Sequence, residues 1–201
     1  MDCEVFLIRH GETAWNAEGR FQGGLDSLLT AKGRAQAGQV GRALGKLLQD
    51  TDRARMHVSP LGRTRQTADL IVSHFRGTVE VLVEPNLREV SVGSWDGLTD
   101  VDIDAGWPGL LNGATPSDWF FRSPDGESYA TAARRARDWL AGLDGTVIAV
   151  SHGLLGRIIR GVYLNLPHKD ALQLPVPQDV IWHLHHGKID ALQAESRSQD
   201  R

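Results

Sequence analysis

The chain has 201 residues, of which 41% are apolar and 23% are charged. A chain of this length can bury one sizeable core but is short for two, so we predict a single domain. Its net charge is −3 and no run of five like charges occurs, which argues against a nucleic-acid or membrane surface. Cys3 is the only cysteine, so an internal disulfide and a zinc site made of several cysteines are excluded.

The N-terminal region lacks the features of a targeting segment. Asp2 and Glu4 are acidic, and the apolar run at 5–8 is too short for a secretory signal peptide. No stretch reaches the roughly 20 apolar residues that span a bilayer. We therefore predict a soluble, cytoplasmic protein.

Strand-like and helix-like patterns alternate through the first half of the chain. The apolar run EVFLI, residues 4–8, predicts a buried strand, and residues 30–49 predict a helix capped by Thr30. We expect one face of that helix to be buried through Val40, Leu44, Leu47 and Leu48. Further elements are predicted as a strand at 56–59, a helix at 63–75 and a strand at 79–83.

The second half begins with a long irregular segment. Between residues 84 and 125 the periodicity disappears, and irregular segments of this length are usually functional. Regular patterns then resume as a helix at 129–143, a strand at 146–150, a helix at 154–164 and a hairpin of strands 180–184 and 188–193. This alternation predicts an α/β fold, a three-layer α/β/α sandwich with a mostly parallel central sheet.

One motif occurs twice, at the ends of two predicted strands. In VFLIRHGETAWN (5–16) and VIAVSHGLLGR (147–157), an apolar run ends in a polar residue, a histidine and a glycine. Ligands of open α/β sheets bind at the carboxyl ends of strands, so we expect His10 and His152 to face each other. Arg9 offers a planar fork that matches phosphate, and Gly11 and Gly153 would let the backbone pass close to a ligand.

Two further segments add groups to this site. In MHVSPLGRTRQTA (56–68), Arg63 falls near a helix N-terminus, where the helix dipole also favours an anion. In PNLREVSVGSWDGLT (85–99), Glu89 lies in a loop. A carboxyl group beside a bound phosphate is disfavoured in its charged form, so Glu89 is a candidate general acid.

Together these segments resemble a known family. LIRHGETAWNAEGRFQGGLDSLLT, SPLGRTRQTA, LREVSVGSWDGLT and VSHG are similar, in the same order, to the four signature blocks of the histidine phosphatase superfamily, the phosphoglycerate mutase-like proteins. The resemblance extends from Val5 to about Gly161. It implies that His10 is the nucleophile and becomes a phosphohistidine, and that Glu89 protonates the leaving alcohol and then activates water.

The resemblance also implies a set of residues around the transferring phosphoryl group. The catalytic residues would be His10, Glu89, His152, Arg9 and Arg63. The substrate-binding residues would be Arg9, Asn16, Arg63, His152 and Gly153. It implies neither a cofactor nor a metal ion, and a small phosphorylated metabolite as the binding partner.

The sequence after the acid separates the branches of the family. Mutases typically continue with Arg-His-Tyr-Gly, whereas Glu89 is followed by VSVGSWDG, which is closer to the phosphatase branches. We therefore predict a metal-independent phosphatase, with a phosphoglycerate mutase-type phosphoryl transfer or a non-catalytic phospho-ligand binding module as alternatives. We predict a domain at 1–193 that includes a lid at 96–125 whose only basic residue is Arg122, a polar tail at 194–201, and a homodimer formed through the C-terminal hairpin.

Several conspicuous residues receive a structural interpretation. Arg65 is expected at the surface, and Glu12 is expected to make a local hydrogen bond. The tryptophans of the irregular segment are expected to pack, some of them near the pocket roof. We interpret His183, His185 and His186 as strand or surface histidines rather than metal ligands, because we see no acidic partner close to them in sequence.

Overall fold

The computed structural model describes residues 3–48, 55–115 and 118–194. Six strands form one sheet: β1 (Glu4–Arg9), β2 (Arg55–Val58), β3 (Glu80–Val83), β4 (Thr146–Ser151), β5 (Val180–His185) and β6 (Lys188–Gln193). The described helices are α1 (Ala14–Ala17), α2 (Ala31–Leu47), α3 (Gly62–Val72), α4 (Asp100–Gly106), α5 (Tyr129–Ala141), α6 (Gly153–Tyr163) and α7 (His168–Ala171). The predicted three-layer α/β/α sandwich is confirmed.

The strand order places the functional strands side by side. The order is β3-β2-β4-β1-β5-β6, and the first four strands are parallel. β5 runs antiparallel to β1, and β6 completes the predicted hairpin through His186 and Gly187, both with positive φ. The carboxyl ends of β2, β4 and β1 therefore lie next to one another at one edge of the sheet.

The central strands are buried on both faces because helices cover each side. Val5 and Leu7 point into a core shared with α5 and α6. Phe6 and Ile8, which alternate with them, point into a core shared with α2 and α3. This alternation fixes the register of β1 and hence the position of the residues that follow it.

The helices begin where expected but differ in detail. Thr30 caps α2 as predicted, accepting a hydrogen bond from the Gly33 amide. Leu47, expected in the buried face, is 50% exposed. Small residues fill this face instead: Gly33, Ala37, Gly38 and Gly41 are buried beside Val40 and Leu44.

The irregular segment contains a short helix and a small core of its own. Helix α4 begins at a capping box in which Thr99 and Asp102 bond to each other's backbone amides. Trp95 and Ile103 are fully buried in this satellite core, against which Trp107 and Trp119 pack. In its described part, the predicted lid, residues 96–125, therefore packs a few apolar side chains on this satellite core, while many of its other residues are exposed.

The C-terminal region ends against the sheet. Ala194 is buried, and its amide donates to the Asp179 carbonyl, so the first residue of the predicted polar tail packs on the domain. Residues 195–201, the rest of that tail, lie outside the described residues. The homodimer through the hairpin stays a prediction. No helix in the described ranges is long and apolar enough to cross a bilayer.

Candidate active site

The two copies of the repeated motif lie side by side at the carboxyl ends of β1 and β4. Arg9, the last residue of β1, pairs in register with Ser151, the last residue of β4. The amide of His10 donates to the Ser151 carbonyl at 3.0 Å. The rings of His10 and His152 lie 5.3 Å apart at 64°, so the two predicted histidines face each other.

His10 is held in a defined tautomer. Its Nδ1 lies 2.8 Å from the Gly11 carbonyl oxygen, and only a protonated nitrogen can donate to a carbonyl. Nε2 therefore carries the lone pair. Burial, with the positive charges of Arg9 and Arg63, holds the pKa of His10 well below its usual value of 6.5. The ring is thus a neutral imidazole at neutral pH, with its proton on Nδ1 and a free lone pair on Nε2.

His152 lies at the N-cap of α6 and is 2% exposed. Its Nε2 is 2.7 Å from the Ser59 hydroxyl, which follows β2 and thereby adds the third strand end to the site. Burial is again the main cause that holds the pKa of His152 well below 6.5, followed by the charge of Arg63. Its other nitrogen, Nδ1, is buried and has no hydrogen-bond partner among the described residues.

Each of the two arginines keeps a buried donor without an acceptor in the described part of the chain. Arg9 donates through Nη1 to the Val176 carbonyl, at 2.7 Å. Arg63 is fully buried, and its Nη atoms donate to Asp26 and to the carbonyls of 22, 23 and 25. The Nε atoms of both arginines are buried without a partner among the residues that the structure describes. Donors of this kind are costly unless a ligand satisfies them.

Glu89 is positioned by backbone amides rather than by Arg88. Its Oε1 accepts from the amides of Val90 and Leu155, at 2.9 and 2.8 Å, and its Oε2 accepts from Leu154 at 3.1 Å. Two of these donors belong to the first turn of α6, immediately after His152 and Gly153. Arg88 is exposed. The carboxylate is therefore fixed beside the histidine pair by the start of the helix.

An open cavity of about 290 Å³ lies over these groups. Five predicted site residues line it: Arg9, His10, Asn16, Glu89 and Gly153. His152 and Arg63 are absent from the lining and lie buried behind it. Asn16 accepts from the side chain of Gln178, so its amide is anchored at the cavity wall.

Several residues of the site were not identified from the sequence. Arg157 and Arg20 add positive charge to the cavity lining, and Gln22, Phe21 and Phe120 line it as well. Arg157 lies five residues after His152, at the end of the second repeat of the motif. Only its place on the first turns of α6 distinguishes it from a surface arginine.

Three arginines hold the loop that borders the cavity. Arg157 donates to the Leu174 carbonyl at 2.6 Å, Arg160 to the Pro175 carbonyl at 2.5 Å and Arg9 to the Val176 carbonyl at 2.7 Å. Arg160 also lies over the Trp182 ring at 4.1 Å. The backbone of 174–176 is thus bonded both to the sheet edge and to α6.

Arg65, Glu12 and Arg122 lie outside the lining of this cavity. Arg65 is exposed, and Glu12 bonds to Thr30 and Lys32, as expected. Arg122 of the predicted lid donates to the carbonyls of 110, 112 and 113, so it supports the lid itself.

The expectation that the C-terminal histidines lack an acidic partner is wrong. Asp190 lies five residues after His185, across the hairpin, and its carboxylate is 2.6 Å from His185 Nε2. The turn between the two strands brings them together, which sequence distance alone does not reveal.

Comparisons with known proteins agree with this geometry. A model of the histidine phosphatase superfamily (branch 1) matches residues 5–190. A curated relative, "Probable phosphoglycerate mutase GpmB" of Enterobacter sp. (strain 638), is 38% identical over 177 residues, 82% of this chain and 76% of that protein.

Two solved structures have the same fold. A mycobacterial glucosyl-3-phosphoglycerate phosphatase in complex with VO3 is 30% identical with a TM-score of 0.79, covering 96% of this chain and 99% of that one. The alpha-ribazole phosphatase from Shigella flexneri is 25% identical with a TM-score of 0.76, covering 96% of both chains.

The fold is that of a superfamily of enzymes that act on phosphate esters. Relatives and structural neighbours include both mutases and phosphatases. The chain belongs to the histidine phosphatase superfamily, branch 1, as its sequence resemblance predicted.

Proposed function

We propose that the protein is a phosphomonoesterase that hydrolyses a small phosphorylated metabolite through a phosphohistidine on His10. The observation that carries this proposal is a set of buried nitrogens around His10 that have no hydrogen-bond partner among the described residues: Arg9 Nε, Arg63 Nε and His152 Nδ1. The two guanidinium N–H groups are donors that suit an anion, and a phosphoryl group is an electrophile that a neutral imidazole can attack.

In the proposed first step, His10 Nε2 attacks phosphorus while the bond to the leaving oxygen breaks. Protonated Glu89 gives its proton to that oxygen, and the alcohol leaves. In the second step, the Glu89 carboxylate takes a proton from water, which attacks the phosphohistidine and releases inorganic phosphate. The two arginines neutralise charge on the transferring group, which is the main catalytic requirement of phosphoryl transfer. Neutral His152, in the tautomer protonated on Nδ1, donates a hydrogen bond to the same group.

The positions of the arginines bear on the alternative mutase reaction. A mutase must hold the carboxylate of a phosphoglycerate while it returns the phosphoryl group. Arg122 is engaged with lid carbonyls, whereas Arg20 and Arg157 line the cavity. These two cations, with the relatives named as probable mutases, keep phosphoglycerate transfer as the second candidate function.

The test is phosphate release from a panel of sugar phosphates, phosphoglycerates and nucleotides, with and without EDTA. Wild-type release should survive EDTA, His10→Ala should fall to background, and Glu89→Gln should lose roughly 10²- to 10⁴-fold in rate. A rapid-quench experiment with labelled substrate should find an acid-labile phosphoryl group on wild type and none on His10→Ala.

The outcomes separate the three hypotheses. A mutase would leave free phosphate near background and respond to 2,3-bisphosphoglycerate. A binding module would bind a phosphate ester with no turnover and no labelled intermediate. Either result would overturn the phosphatase proposal.

A further inference from the structure

A second cluster of ligand-type side chains lies at the far end of the sheet. His183 and His185 are two residues apart on β5, so they project from the same face. Asp190 of β6 is the cross-strand partner of His183 and therefore shares that face. His183 pairs with Phe6, and Glu4 begins β1, so the cluster lies four to six residues before His10, roughly 13–20 Å away along the strand.

The ligand atoms of this cluster are already close together. One nitrogen from each histidine and one carboxylate oxygen of Asp190 lie within 4.8 Å of one another. Glu4 Oε2 is 3.8 Å from His183 Nε2. That nitrogen is buried and has no hydrogen-bond partner in the part of the chain that the structure describes.

The histidine rings are held in a stack. The Phe6 ring stacks on His183 with centroids 4.3 Å apart, and His183 stacks on His185 at 4.2 Å. The hairpin register fixes Asp190 opposite them. Ordering these side chains therefore costs little further entropy when an ion binds.

We propose that His183, His185 and Asp190 form a binding site for a divalent transition-metal ion of the Zn²⁺ class, with Glu4 as a fourth ligand. Two imidazole nitrogens and two carboxylate oxygens suit Zn²⁺, whereas Mg²⁺ and Ca²⁺ prefer oxygen ligands alone. Tetrahedral bonds of about 2.0–2.2 Å place ligand atoms roughly 3.3 Å apart. The atoms now lie within 4.8 Å, so the side chains must rotate to draw them together and to turn both ring nitrogens toward one ion.

Binding exchanges one internal contact for metal bonds. The hydrogen bond between His185 Nε2 and Asp190 is lost, the imidazole proton moves to Nδ1, and both atoms then coordinate the ion. The site links β1, β5 and β6, so its role is structural. It lies far from the phosphoryl site and takes no part in the proposed reaction.

The experiment is calorimetric titration of the chelator-treated full chain with ZnCl₂, followed by thermal unfolding. We expect one bound ion per chain and a rise in Tm of roughly 5–10 °C at a zinc concentration about 100 times Kd. Titration with Co²⁺ should give the visible absorption of a tetrahedral site. No heat and no rise in Tm would overturn the proposal.

Matched variants assign the ion to this cluster. His185→Gln and Asp190→Asn should each weaken binding by roughly tenfold or more and remove the Co²⁺ spectrum. His186→Asn, the neighbouring histidine in the turn, should bind as wild type does. Equal binding by His185→Gln and wild type would place the ion elsewhere and overturn the proposal. Metal-free Tm values confirm that each variant is folded, and no readout depends on phosphate release.

Discussion

Two glycines determine how closely helix α2 approaches the loop that carries His10. A Cβ on Gly11, the residue after His10, would lie 2.3 Å from the Gly33 carbonyl oxygen. A Cβ on Gly33 would lie 2.0 Å from the Glu12 carbonyl oxygen. The motif at 5–16 predicted that Gly11 lets the backbone pass close to a ligand. The structure instead shows that Gly11 is required by the backbone of α2 packing against the loop after β1.

Gly33→Ala should therefore be strongly destabilising. The added methyl group meets backbone that cannot rotate away, and we expect a loss of at least about 2–3 kcal/mol in the free energy of unfolding, measured with urea. Gly38→Ala on the same helix is the control. Its Cβ would have no neighbour closer than 3.5 Å, so helix propensity should stabilise that variant by about 0.5–1 kcal/mol. A similar stability of the two variants would contradict this explanation.

Among the residues of the site, the sequence predicted those that directly follow a recognisable strand or motif. His10 and His152 were found because each ends an apolar strand run, and parallel strands place such ends together. Arg157 was missed because an arginine within an amphipathic helix resembles the exposed Arg65. Ser59 was missed because a single serine before a proline also marks an ordinary turn.

Among the elements, α5 fixes the loop that carries Glu89. Arg135 and Glu127 form a buried ion pair, with side chains 8% and 7% exposed. Nη1 of Arg135 also donates to the carbonyls of Asn86 and Arg88, at 2.6 and 2.7 Å. The loop before Glu89 is thus bonded to a helix on the face of the sheet, so Arg135 is a positioning residue.

Arg135→Met should impair both stability and turnover. Removing one partner leaves Glu127 buried and unpaired, at a cost of about 3–5 kcal/mol in unfolding free energy. Displacement of Glu89 should lower phosphate release by up to about 10²-fold. The double variant Arg135→Met/Glu127→Met should recover stability but not the rate, which distinguishes positioning from a purely structural role. Arg134→Met, at an exposed position on the same helix, should behave as wild type.

The sequence predicted the long helices and strands, but it did not predict the short helix α4 or the direction of β5. Helix α4 has a recognisable start in Thr99 and Asp102, but its seven residues are too few to establish a helical period. The antiparallel direction of β5 relative to β1 depends on how the chain returns over α6 and α7, which no local pattern encodes.

For the molecule as a whole, the buried histidines link stability to pH. Folding holds the pKa values of His10 and His152 well below 6.5, whereas the unfolded chain protonates both near that value. Below about pH 6.5 the unfolded state therefore binds more protons, and stability falls as the pH falls toward the lowered folded pKa values. Each imidazole contributes a slope of up to about 1.4 kcal/mol per pH unit in that window.

His10→Gln should remove the contribution of one histidine to the pH dependence of the free energy of unfolding. Urea unfolding between pH 5 and pH 8 should give a shallower acid slope for the variant, with the values at pH 8 as the internal reference. An unchanged slope would mean that the folded protein accepts a proton on His10 in this range. Repeating the urea unfolding with saturating phosphate shows whether bound phosphate changes the pH range over which stability falls.

The loop at 174–176 joins two parts of the molecule that the chain itself separates. Its three carbonyls accept from Arg9 at the sheet edge and from Arg157 and Arg160 on α6. Val176, the acceptor of Arg9, lies 167 positions after it in sequence. Circular permutation is ordinarily tolerated at surface loops. New termini within 174–176 would free the guanidinium of Arg9 from its carbonyl acceptor while leaving every strand paired. New termini between His186 and Gly187 would leave that guanidinium bound. The loop is therefore a poor place to open the chain, although it belongs to no helix or strand.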